Sequence, residues 1–299
     1  MNSRPLAFLL SVAAAAADRS SSRPLLLVRG GASSSYPGAG YVPPQRSYPG
    51  GGYVPVQQQP QQQQPAGTMS DAERVYVTQQ FARPAVRRQF LARVYSTVLV
   101  QVLLLAAIMA ALRGAPAVAY RLMPSAPAFL LLATAPALAI QFAPRLAETP
   151  PYGHLLLAAF TALTGVGIGA ATMPLPADLL VRAAAATAAA VGGLATYAVT
   201  TKRDFTARRG MLFAGLLSLL ALGLVQALFG GPIVATARAY LGALVFSGYL
   251  VYDTQLIAGG GKRFQLRPTQ HVLGALMVFN DVINLFLTIL QAMARADRD

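Results

Sequence analysis

The chain has 299 residues, 55% hydrophobic and only 11% charged, with 24 Lys and Arg against 10 Asp and Glu and a net charge of +14. Charge that sparse cannot cover a soluble globule of this size, so a bilayer is the expected solvent for much of the chain. The absence of cysteine excludes disulfides, thiolate chemistry and cysteine-based zinc sites, and no HExxH supports a zincin.

Residues 1–70 form one compositional regime. "SYPGAGYVPPQR" (35–46) is followed at once by the related "SYPGGGYVPVQQ" (47–58), and then by "QQPQQQQP". Pro, Gly, Gln, Ser and Tyr at this density bury too little apolar area to offset backbone ordering, so the segment is expected to be disordered. It is either a solvated tail or a partner-binding polyproline-type segment. The leader "MNSRPLAFLLSVAAAAAD" has the parts of a secretory signal peptide. Its continuation, "RSSSRPLLLVRGGASSS", is Arg- and Ser-rich and free of acid, in the manner of an organelle transit peptide.

Residues 71–299 are expected to be one helical membrane domain. Seven apolar segments follow in order, near 91–112, 126–143, 153–173, 179–200, 211–229, 237–258 and 272–294. Most reach the length of about 20 residues that crosses roughly 30 Å of hydrocarbon. Pro127 and Pro136 interrupt the second, which a spanning helix tolerates when neighbours satisfy the freed carbonyl. In the third, "TGVGIGAAT" puts Gly165 and Gly169 four apart, a contact that lets backbones approach, and Gly192 and Gly193 are expected to do the same in the fourth.

The excess arginine could suggest nucleic acid. It stands instead in loops beside apolar runs, where basic residues set membrane orientation. Arg83, Arg87, Arg88 and Arg93 precede the first segment. Lys202, Arg203, Arg208 and Arg209 fill the fourth loop, and Lys262, Arg263 and Arg267 the sixth. These alternate with poorer loops, which places the N-terminus in the cytosol and argues against a cleaved signal peptide. Arg113 and Arg121 lie on the opposite side of this pattern. "AGGGKRF" (258–264) lacks the upstream glycine and the Ser/Thr of a phosphate loop, and reads as a helix stop before a basic loop.

Two acids interrupt the apolar pattern. Asp253 lies in "SGYLVYDTQLI" and Asp281 in "GALMVFNDVINLFLTIL". An aspartate at membrane depth costs about 2.5–3.5 kcal/mol on insertion scales, and survives where it faces a partner, water or an ion pathway. Asp253 falls about 8 Å, and Asp281 about 15 Å, from the cytosolic end of its helix, so antiparallel neighbours could bring the two together. Tyr249 shares a face with Asp253, and Asn280 and Asn284 accompany Asp281, giving a polar seam. Two carboxylates close together in low dielectric cannot both ionise easily, and would titrate as a unit near neutral pH. The pair is either such a proton-sensitive latch or, respectively, a snorkelling side chain and hydrogen-bonding glue.

Intramembrane aspartyl proteases also carry aspartates on two neighbouring helices, the first in a Tyr-Asp pair like Tyr252-Asp253. At the second aspartate this chain has "VFND" rather than "GxGD", with no glycine to admit a peptide backbone, so no enzyme activity and no catalytic residue are expected.

"FSGYLVYDTQLI", "FNDVINLFLTIL", "TTKRDFT" and the entry "VRRQFLARVYSTVLVQVLLL" together resemble the lifeguard, or transmembrane Bax-inhibitor-motif, family. The resemblance implies six helices around a central seventh. It also implies a pH-sensitive calcium leak from endoplasmic reticulum or Golgi stores and suppression of stress-induced cell death. The leader leaves a mitochondrial or plastid membrane open. The family's two-aspartate sensor falls on Asp253 and Asp281, which would hold calcium transiently. Its gating arginine falls on Arg145 in "QFAPRLAE", where Pro144 and Glu148 depart from the pattern. No cofactor is implied beyond calcium as the transported ion. The implied partners are the bilayer and apoptosis-related or calcium-handling membrane proteins. A calcium/proton exchanger and a non-conducting interaction protein acting on apoptosis or stress-signalling partners are the alternatives.

Overall fold

The computed structural model describes residues 71–258 and 266–297; the tail with its leader, and most of the glycine-rich sixth loop, fall outside them. Among the described residues every regular element is helical, and seven helices are long and apolar enough to cross a membrane. They are Pro84–Gly114, Pro116–Phe142, Tyr152–Ala171, Ala177–Thr200, Thr206–Phe229, Pro232–Ala258 and His271–Ala296, the first to seventh spans. Each overlaps one expected segment.

The boundaries differ for local reasons. Proline occupies the first helical position of the first span, where its missing N–H costs nothing. This helix begins at Pro84, ahead of the apolar run, and its first turns carry Arg87, Arg88 and Arg93. A further helix, Asp71–Ala82, precedes it and was not expected from the sequence. Val77 and Phe81 of that helix are buried, and Phe81 meets Phe90 edge to face at 5.4 Å. The second span is composite, with Pro116–Leu122, a 3-10 turn at Met123–Ser125 and then Ala126–Phe142, which carries Pro136 without breaking.

The seventh span is the core. Within its most apolar stretch 78% of residues are buried, against 22–50% for the other six. It packs against the first, second, third, fourth and sixth spans, and the fifth packs against the sixth. In the bilayer this difference separates a helix that sees protein on all sides from helices that show one face to lipid. An ion pair of 2.7 Å between Arg182 and Asp297 puts the start of the fourth span and the end of the seventh on one side, as seven crossings require.

Glycines set the closest approaches. A Cβ at Gly165 would meet Ile108, and one at Gly169 would meet Leu112 and Met109, so this pair seats the third span on the first as expected. The expectation for the fourth span is overturned, because nothing lies within 4 Å of a Cβ at Gly192 or Gly193. Small residues on a spanning helix do not by themselves reveal which face meets a neighbour. The approach between the sixth and seventh spans is made instead at Gly242, where a Cβ would stand 2.5 Å from the Thr288 methyl.

Polar side chains tie the spans together. The Gln101 amide donates to the Thr161 hydroxyl (2.9 Å), linking first to third. Arg238 of the sixth donates to Gln226 of the fifth (2.7 Å) and to Gln291 of the seventh (2.9 Å). Arg113, out of place by the charge pattern, donates to the Thr172 and Leu175 carbonyls at 3.0 Å each. A backbone-capping role explains a basic residue on the side that orientation rules leave poor in them.

Candidate functional site

The sixth span ends in a continuous buried run from Leu250 to Ala258 that contains Tyr252, Asp253, Thr254 and Gln255. Lipid does not face it, which is why four polar side chains can occupy successive positions of an apolar helix. Asp253 is 2% exposed and Asp281, on the central seventh span, 6%. Both act electrostatically on the Tyr95 phenol of the first span, which is fixed by a 2.9 Å hydrogen bond to the Thr254 hydroxyl. Three spans therefore bring two carboxylates and a phenol into one electrostatic neighbourhood, and Phe160 of the third span packs on Phe279 of the seventh at 5.9 Å.

The rest of the expected seam is placed unevenly. Asn284 is buried and donates to the Asn280 carbonyl one turn earlier (2.8 Å), so its amide serves its own helix. Tyr249 and Asn280 are half-buried. Arg145 is not in the cluster. It sits exposed on the short helix Pro144–Glu148 that follows the second span, and its guanidinium makes no hydrogen bond or ion pair among the described residues. Proline at position 144 starts a new helix there, which carries the arginine out of the second span. Nor do three His, Asp or Glu gather as a metal site among the described residues.

Sequence reasoning passed over two participants. Tyr95 looks like an ordinary tyrosine of a spanning helix, and only packing shows that it faces the acids. Gln255 connects the acidic site to the basic fourth loop. It accepts from the Phe205 N–H (2.8 Å) and donates to the carbonyls of Arg203 (2.9 Å) and Ala198 (3.3 Å). The signal was present, since a fully buried glutamine in an apolar run needs partners, and backbone groups of a nearby loop are the usual ones. Asp204 completes the loop by accepting from the Thr206 N–H and hydroxyl. Gln255→Ala would leave the Phe205 N–H and two carbonyls without these bonds. It is expected to cost about 1–3 kcal/mol and to speed hydrogen exchange at the Phe205 amide while the Tyr95 end is unchanged.

An all-helical seven-span bundle with two buried acids near a basic loop defines a multi-pass membrane protein built around a polar interior site. Residues 87–298 match the family described as inhibitor of apoptosis-promoting Bax1. Mouse protein lifeguard 4 is 31% identical over 214 residues, covering 71% of this chain and 87% of that protein. The inner membrane protein YbhL of Escherichia coli K12 is 32% identical over 142 residues, 46% of this chain and 61% of that protein. The Golgi anti-apoptotic protein of vaccinia virus strain Lister is 32% identical over 143 residues, 48% of this chain and 58% of that protein. The chain belongs to the Bax inhibitor family.

Proposed function

We propose that this protein is a passive, pH-gated pathway for calcium across an internal membrane, with Asp253 and Asp281 as the gate, and that the leak restrains stress-induced cell death. The observation that carries this reading is the burial of both carboxylates within electrostatic reach of Tyr95, on the sixth, seventh and first spans. Acids at such a place persist where they serve an ion or proton path.

The chemistry follows from charge. When protonated, the pair carries no net attraction for a cation and can share hydrogen bonds. When deprotonated, it offers hard oxygen ligands suited to calcium. Calcium takes about six to eight oxygens, so two carboxylates hold it only briefly, as conduction requires. Gln255 gives the gate a mechanical link to the fourth loop, and Arg145, at the foot of the second span, is left as a cation near the cytosolic entrance. The Golgi name of the vaccinia relative favours a Golgi membrane, and its anti-apoptotic name favours a second reading, protection through apoptosis-related membrane partners without flux.

Calcium flux into proteoliposomes of purified protein decides between the two. Wild type is expected to leak at a rate that changes between about pH 6 and 8, and Asp253→Asn and Asp281→Asn to lose that dependence. A wild-type protein no leakier than empty liposomes at every pH would overturn the conduit. Calcium driven uphill by a pH jump would make it an exchanger.

A further inference from the structure

The two histidines, far apart in sequence, meet in the fold. His154 is the third residue of the third span and His271 the first of the seventh, and their ring centroids lie 5.4 Å apart with a tilt of 44°. Both begin their spans on the side of the basic loops, and His154 is exposed. The Nδ1 of His271 lies 3.2 Å from the Thr269 carbonyl. A carbonyl only accepts, so Nδ1 carries the hydrogen, and the neutral ring keeps its Nε2 lone pair.

We propose that His154 and His271 form a binding site for a zinc-class transition-metal cation, separate from the buried aspartates. Three features of the pair converge on this. Two imidazoles sharing a tetrahedral zinc, at about 2.0–2.1 Å per Zn–N bond, hold their centroids roughly 5–5.5 Å apart. Metal-ligating histidines characteristically donate their second ring N–H to a carbonyl or carboxylate, as His271 does to Thr269. Imidazole suits zinc and copper better than calcium or magnesium.

The surroundings set the strength. Glu148 acts electrostatically on His271, and its Oε1 is buried with no hydrogen-bond partner, beside a small cleft lined by Pro144, Ala147, Gln270 and Val272. It supplies a negative charge near the ion. Arg93, from the first span, acts on the same ring with the opposite sign and weakens the site. With two protein ligands the remaining positions belong to water, so the ion is held more weakly than in a structural zinc site. A bound ion would staple the foot of the central helix to the third span.

The test is calorimetric titration of Zn²⁺ into chelator-treated, tag-free full-length protein in nanodiscs. Wild type is expected to take up one Zn²⁺ per chain. His154→Gln and His271→Gln are each expected to bind at least tenfold more weakly, and Asp253→Asn/Asp281→Asn to bind as wild type does. Zinc should raise the melting temperature of wild type and not of either histidine variant. His154 is exposed, so its variant folds and decides the matter even if His271→Gln does not. No zinc uptake by wild type, uptake unchanged in His154→Gln, or uptake lost with the aspartates would overturn the site.

Discussion

Gly153→Ala is expected to lower the melting temperature by about ten degrees. Gly153 is the second residue of the third span and is buried. An added Cβ would run into the Ala147 carbonyl oxygen, with the Ala147 carbonyl carbon at 2.9 Å and Cα at 3.3 Å. The obstacle is backbone, so no rotamer change relieves it. The short helix Pro144–Glu148 must move off the third span. Overpacking costs about 1–3 kcal/mol where side chains can yield, and more where they cannot. At roughly 2–4 °C per kcal/mol for a domain of this size, a loss near the upper figure lowers the melting temperature by about ten degrees. Gly192→Ala is the matched control. Nothing lies within 4 Å of its Cβ, so the substitution should stabilise its helix by up to about 1 kcal/mol. Thermal unfolding of the two variants in one detergent checks both. A Gly153→Ala protein that melts with wild type would mean the short helix does not seat where the structure has it.

The second large effect concerns stability at the two buried acids. The double variant Asp253→Asn/Asp281→Asn is expected to be more heat-stable than wild type at neutral pH and, on the proposed function, to lose pH-dependent flux. Both carboxylates are almost fully buried in the bundle, and burying ionised acid is costly. Asparagine keeps the shape while removing the charge and turning one acceptor oxygen into an N–H donor. Replacing even a paired buried charge by well-packed apolar residues is often neutral or stabilising, by about 1–4 kcal/mol, and a gain of that order would raise the melting temperature by several degrees. If the aspartates were hydrogen-bonding glue, the double variant would instead melt lower. The same pair of samples thus separates a functional acid from a structural one, with no ion measured. A rise in melting temperature together with loss of pH response is the pattern of a site maintained against stability.

The sequence makes the seven spans legible because lipid imposes length and apolarity on every crossing. It also marks Asp253 and Asp281, since acid in such a run stands out against the same constraint. What the chain does not display is which face of a span meets a neighbour. Gly165 and Gly169 do contact the first span, whereas Gly192 and Gly193, equally small, contact nothing. Tyr95 escaped notice because tyrosine is ordinary in a spanning helix, and its role depends on Thr254 far along the chain. The resemblance puts Arg145 at the gate, and the proline before it opens a separate helix on which the arginine is exposed. The His154–His271 contact is a purely tertiary fact.

The burial of the seventh span bears on how the protein is made. Chains are synthesised N-terminus first, at about 5–20 residues per second. The helix that supplies the core therefore leaves the ribosome after the other six spans, five of which pack against it, have entered the bilayer. Until it arrives, Tyr95, Thr254 and Asp253 line a vacancy, and the faces meant for it stand open to lipid or to an insertion chaperone. Assembly is then a single late event, in which the last helix, carrying Asp281, closes the bundle and completes the acidic site in one step. A ribosome stalled just before His271 would hold six inserted spans with neither the core helix nor Asp281.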